Sequence, residues 1–128
     1  MPKPGDTRTY IKHVTAADFA AFADGVVHRV CSTFALAQAA EWAGRLFVLE
    51  LKAADEEGIG TYISIRHVAP AFEHDVLEVT ATLQQHVRNE ISCSFTIWAA
   101  QRLVAEGETG QKILKKDKLA KVLAPKKS

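Results

Sequence analysis

The chain has 128 residues, 48% of them apolar and 24% charged, with a formal net charge of +1. That length suits one domain with a real core and is short for two, and the near-zero charge excludes a global attraction to nucleic acid or a membrane surface. No run reaches the ~18 apolar residues of a membrane span, and the start "MPKPGDTRTY" lacks a secretory signal's apolar stretch, so a soluble cytoplasmic protein is expected.

Taken in chain order, "TRTYIKHV" (7–14) reads as a first strand. "TAADFAAFAD" (15–24) reads as a short helical or irregular passage with Thr15 as a plausible cap. The stretch 31–55, beginning "CSTFALAQAAEWAG", is the one long helix. Leu36, Ala40, Ala43 and Phe47 recur at helical spacing, and Ser32 or Thr33 can cap its start. "ALAQAAEWAG" holds five alanines and Gly44, so the helix is thin there and can lie close to another surface.

After "EEGIG" the pattern switches to period two. In "TYISIRHV" (61–68), Thr61, Ile63, Ile65 and His67 share one face of a strand. Leu77, Val79, Ala81 and Leu83 alternate next, then Ile91, Cys93, Phe95 and Ile97 after a turn at "VRNE" (87–90). A tight break near Ala100–Gln101 leads into the last strand, 102–114. Short connections make these three runs an antiparallel meander. The predicted class is α+β, in the order strand, helix, four strands, with one helix laid on one sheet.

Cys31 and Cys93 stand in no CxxC spacing, and Cys93 reads as a small core residue. His13, His28, His74 and His86 show no metal-ligand spacing, and no Gly-rich phosphate loop or GxSxG elbow is present. No metal and no cofactor are expected. Residues 115–128 carry six lysines against Asp117, a net +5 that leaves −4 on residues 1–114. That tail reads as a solvated, partly helical end; contact with coenzyme A phosphates or an acidic partner is the sharper alternative. No aromatic interleaves the lysines, which argues against nucleic acid.

Thr33, Glu41 and His67 stand out as polar groups in otherwise apolar or thin settings. Singly, each has a plain explanation: a helix cap, a solvated helix residue, a hydrogen-bonded core histidine. Together, "STFALAQAAEWAG" and "GIGTYISIRHVAP" resemble the fluoroacetyl-CoA thioesterase-like family of hot-dog proteins over roughly residues 7–114. The second stretch is similar to that family's G-T-x-x-x-V-x-H-x-A strand, and the family's Thr, Glu and His fall on Thr33, Glu41 and His67 without a gap. One departure is "GETGQK" (107–112), where Glu108, Thr109 and Gln111 replace the family's usual Thr, His and Arg; the particular substrate is therefore open.

The resemblance implies a dimeric hot-dog fold at residues 1–114, followed by the lysine-rich tail at 115–128. It also implies an acyl-CoA thioesterase acting on a small acyl group. Glu41 would be base or nucleophile, His67 the proton carrier and Thr33 an orienting hydroxyl. Backbone N–H groups around Gly60 are the candidate for polarising the thioester carbonyl, although a plain turn explains that glycine equally well. The rival reading is a non-catalytic hot-dog module that binds acyl-CoA; retention of all three polar residues favours the enzyme. A hot-dog dehydratase is disfavoured because no Asp-x(4)-His signature occurs.

Overall fold

The computed structural model describes residues 1–125. Strand β1 (Thr7–His13) leads through a 3-10 turn at Ala16–Asp18 to a hairpin of β2 (Phe19–Phe22) and β3 (Gly25–Cys31). Helix α1 (Thr33–Leu51) follows, then β4 (Glu56–His67), β5 (Val76–Val87), β6 (Glu90–Ala99) and β7 (Arg102–Lys115), and α2 (Lys116–Leu123) comes last. Five strands form one antiparallel sheet in the order β1-β5-β6-β7-β4, while β2 and β3 pair apart from it.

Alternation creates the sheet's inner face. Leu77, Val79, Ala81 and Leu83 of β5 are fully buried, and the register sets Val79 opposite Ile97, Ala81 opposite Phe95 and Leu83 opposite Cys93. The tight turns between these strands use left-handed residues, Arg88 at φ 58° and Ala100 at φ 53°. Against that face lies α1, with a stripe of Ala35, Leu36, Ala39, Ala40, Ala43, Gly44, Phe47 and Val48 buried at helical spacing. Small residues fill its first half, so the helix backbone can lie close to the strands. Phe47 anchors the second half with no exposed surface; truncating such a residue to alanine typically costs about 3–5 kcal/mol.

Residues 15–24 meet the sequence expectation in part: Ala16–Asp18 is a short helical turn with Thr15 at its N-cap, whereas 19–24 depart from it. Phe19–Phe22 form β2, and β2 pairs with β3, a strand that the sequence reading did not contain. Alanine-rich "FAAF" favours helix by local propensity. Pairing with β3 overrides it, and Gly25 supplies the positive φ of 118° at the turn between the strands. Strand β4 also begins five residues earlier than expected, at Glu56. Its glycines weaken strand propensity, yet Gly58 is needed there: a Cβ would meet Val48 Cγ1 of α1 at 2.6 Å.

β4 is an edge of the sheet, since among the described residues only β7 pairs with it. Its ladder shifts register between Gly60 and Tyr62, so Thr61 is an extra residue and the strand bulges. Beyond the bulge, Ile63 and Ile65 pack partly against the core and Tyr62 is exposed. The first part of the lysine-rich segment folds as α2, with Leu119 buried and its lysines outward. Among the described residues, no helix is long and apolar enough to cross a membrane.

Candidate active site

The start of α1 frees Thr33 from capping. Ser32 is the cap: its hydroxyl accepts the Ala35 N–H at 3.0 Å, and its own N–H donates to the Asp18 carbonyl at 2.8 Å. Thr33 Oγ1 instead lies 2.9 Å from His67 Nδ1. His67 is the last residue of β4, and the next residue, Val68, is tied to β7 by its N–H on the Val104 carbonyl at 2.8 Å. Among the described residues this is the one side-chain hydrogen bond of His67, and it engages Nδ1 rather than Nε2. Ser32 as the cap removes the plain explanation of Thr33, whereas the hydroxyl–imidazole contact is compatible with a hydrogen-bonded structural histidine as well as with a proton carrier.

Glu41 projects from α1 over Gly60 of β4. A Cβ on Gly60 would stand 3.6 Å from each carboxylate oxygen, so glycine leaves open the space beside this charge. A cleft of about 310 Å³ surrounds the pair, lined also by Gln38, Trp42, Arg45, Gly58 and Gln111. Arg45 stands one turn after Glu41, the spacing that normally forms a helix ion pair. Here Arg45 pairs with Glu57 of β4 at 2.9 Å. That bond, followed by the Gly58 N–H, holds the Glu57 carboxyl at about 2, well below its ordinary 4.5. Glu41 therefore keeps an unpaired carboxylate among the described residues.

Thr33–His67 and Glu41–Gly60 are two clusters within one chain. Eight helix residues, about 12 Å of rise, separate Thr33 from Glu41. Seven strand residues, on the order of 20 Å, separate Gly60 from His67. Gln38 borders both the Glu41 cleft and a larger cavity of about 580 Å³, which runs past Thr33 beneath the β2–β3 hairpin.

Two buried polar side chains of β7, Thr109 and Gln111, face the helix between these clusters at 2% and 7% exposure. Gly44 admits them. A Cβ there would lie 3.0 Å from Thr109 Oγ1 and 3.1 Å from Gln111 Nε2. The sequence flagged both only as departures from a family pattern; their packing on Gly44 carries no local signal. The two cysteines are buried thiols, each pushed up to about 11 by desolvation; at Cys31 the Asp18 charge adds to this, and at Cys93 a bond with Thr109 opposes it. Among the described residues, no three His, Cys, Asp or Glu side chains gather to hold a metal ion.

A helix wrapped by an antiparallel sheet is what this chain shares with solved thioesterases. A Thermus thermophilus hypothetical protein, a thioesterase superfamily member, superposes with a TM-score of 0.90 at 29% identity, over 94% of this chain and 89% of that one. The fluoroacetyl-CoA thioesterase FlK gives 0.88 at 18% identity, over 98% and 99%. A hot-dog-like protein from Thermanaerovibrio acidaminovorans gives 0.81 at 19% identity, over 96% and 94%. No curated protein matches significantly. The fold is the hot-dog fold, and the class is that of thioester hydrolases acting on acyl-CoA. Residues 14–117 match the family described as "FlK: Fluoroacetyl-CoA-specific thioesterase", and the chain belongs to that family.

Proposed function

We propose that the protein is a cytoplasmic homodimeric thioesterase for small acyl-CoA thioesters, with Thr33, Glu41 and His67 as its catalytic groups. Residues 1–114 are the hydrolase unit, and 115–128 is an appended basic segment. The carrying observation is the unpaired Glu41 carboxylate over Gly60, where a missing side chain leaves room for a thioester carbon. The Gly60 N–H polarises the carbonyl; the register shift at Gly60–Tyr62 interrupts the ladder at this place. Glu41 either draws a proton from an attacking water or attacks the carbonyl itself, forming a mixed anhydride that water then opens. Either route adds one oxygen nucleophile to the carbonyl and expels coenzyme A thiolate, which takes a proton from His67. The 310 Å³ cleft and the two-carbon acyl group in the name of the family's type enzyme support a small acyl chain.

Dimerisation supplies what one chain keeps apart. β4 is a long edge strand with part-buried Ile63 and Ile65 and an exposed Tyr62, a surface proteins normally cover. Antiparallel pairing of β4 with its copy, centred on Ser64, sets Thr61 opposite the partner's His67. That residue adjoins Gly60, so the partner's imidazole and hydroxyl arrive beside Glu41.

Subunit mixing tests this reading. Glu41→Gln and His67→Ala chains are each inactive alone; refolded together in equal amounts, they recover about a quarter of the wild-type rate, because half of the dimers have one intact composite site. No recovery from folded, exchanged dimers would place the relay within one chain. A folded monomer by light scattering at micromolar concentration would remove the dimer altogether.

A further inference from the structure

Gln111 is the one polar side chain of the cleft whose burial the proposed chemistry does not explain. It is 7% exposed, and its amide has no side-chain hydrogen bond among the described residues. No fully enclosed side-chain polar atom lacks a partner among the described residues, so the Gln111 amide keeps a small exposure; the residue lines the Glu41 cleft and also a smaller pocket of about 180 Å³ beside Thr61, Gln85 and Ser92. Desolvating an amide without a partner costs about 1–3 kcal/mol, so a ligand that satisfies it gains a specific advantage.

The position of Gln111 says what that ligand is. In the β4–β7 ladder it stands opposite Gly60, and its Nε2 is pressed toward Gly44 on the helix side. One strand spacing, about 4.8 Å, separates it from the backbone proposed to hold the carbonyl, which two or three covalent bonds can span. The charges around it exclude an anion. Arg45, the cation of the cleft, is taken by Glu57, and the Glu41 carboxylate opposes a second carboxylate. An amide both donates and accepts, so it suits a hydroxyl or a keto oxygen.

We infer that Gln111 is a specificity residue that reads a neutral hydrogen-bonding oxygen on the second or third acyl carbon. The preferred substrates are short hydroxyacyl- or oxoacyl-CoA thioesters. This inference rests on the thioesterase reading above, with the acyl group in the Glu41 cleft.

The test measures kcat/KM by thiol release from butyryl-, 2-hydroxybutyryl-, 3-hydroxybutyryl-, acetoacetyl- and malonyl-CoA. The wild type should favour at least one neutral oxygenated substrate over butyryl-CoA by about tenfold or more, with malonyl-CoA poorest. In Gln111→Leu and in the isosteric Gln111→Met, that ratio should fall to within about threefold of one. A wild-type ratio near one, a ratio that survives both variants, or preference for malonyl-CoA would overturn the assignment. If neither variant folds by thermal melt, the wild-type ratio alone decides. Turnover of butyryl-CoA without preference sinks only this inference, whereas turnover of no thioester sinks the thioesterase reading itself.

Discussion

Arg45 reaches across to Glu57 of β4 at 2.9 Å and leaves Glu41, one turn earlier on its own helix, without an ion pair among the described residues. An isolated helix would favour the opposite outcome, because a glutamate four residues before a basic residue is the better-oriented pair. The tertiary bond wins since Glu57 also accepts the Gly58 N–H at 2.9 Å and has Lys52 at 4.0 Å. Glu57 thereby keeps Arg45 turned toward β4.

Glu57→Gln should release Arg45 toward Glu41 and lower kcat by about one-and-a-half- to twofold, the scale of one exposed helix pair. Adding Arg45→Met to that variant should restore part of the loss; a kcat unmoved by Glu57→Gln would show that Arg45 does not compete for Glu41. The pair also predicts a pH window. The folded carboxyl is depressed to about 2 from 4.5, so its stabilisation is complete above about pH 4.5 and is lost as pH falls through about 2. The melting difference between wild type and Glu57→Gln should stay level from pH 7 to 5 and close below that. A gap that persists at pH 2 would contradict the assignment.

The sheet and α1 were legible because burial on one side leaves a period. Leu77 to Leu83, Ile91 to Ile97 and Leu36 to Phe47 each carry it, and all lie in the core. Residues 19–31 were not legible. Their hairpin is mostly exposed, so no alternating apolar signal marks it, and alanines argued for helix. Thr33, Glu41 and His67 were noticed as polar groups out of place, but chain spacing cannot say that Thr33 meets His67 while Glu41 meets Gly60. The switch of Arg45 to Glu57 and the niche that Gly44 makes for Gln111 are contacts between distant segments. No local pattern encodes either.

Two glycines of the β4–β7 pair should respond in opposite ways to alanine. A Cβ on Gly107 would lie 1.8 Å from the Ser64 carbonyl oxygen, a backbone clash that no side-chain motion relieves. Gly107→Ala should give insoluble or unfolded protein. At Gly60 the added methyl meets Glu41 at an ordinary 3.6 Å, so Gly60→Ala should fold with a melting temperature near wild type. Its methyl would fill the space proposed for the thioester, and kcat/KM should drop by about a hundredfold, as for a misplaced reacting group. Wild-type kinetics in folded Gly60→Ala would move the acyl site elsewhere.

Cys31 and Cys93 offer a check on the core that is independent of catalysis. Both thiols are buried and raised to about 11, so thiolate is scarce at pH 8. Iodoacetamide should leave both unmodified in native protein over an hour and alkylate both in denaturant, as read by mass spectrometry. Rapid labelling of native Cys93 would mean that the contact between β6 and α1 opens readily.

The strongest demand falls on the two groups proposed to handle the proton. Glu41→Gln keeps the side-chain volume and removes both charge and basicity, and among the described residues the cleft is lined by no second carboxylate to substitute. His67→Ala removes the imidazole that Thr33 holds by Nδ1. Loss of acid–base assistance typically costs about 10² to 10⁴ in rate, so each variant should lose at least about a hundredfold in kcat while melting near wild type. Thr33→Ala should lose less, because water can accept or donate in place of a hydroxyl that only orients the ring. Combining Glu41→Gln with His67→Ala should add little to the worse single change, since groups that act on one proton path fail as a unit. Single variants that stay within a few-fold of wild type, on a thioester the protein does turn over, would return Glu41 to a solvated helix face and His67 to a structural hydrogen bond.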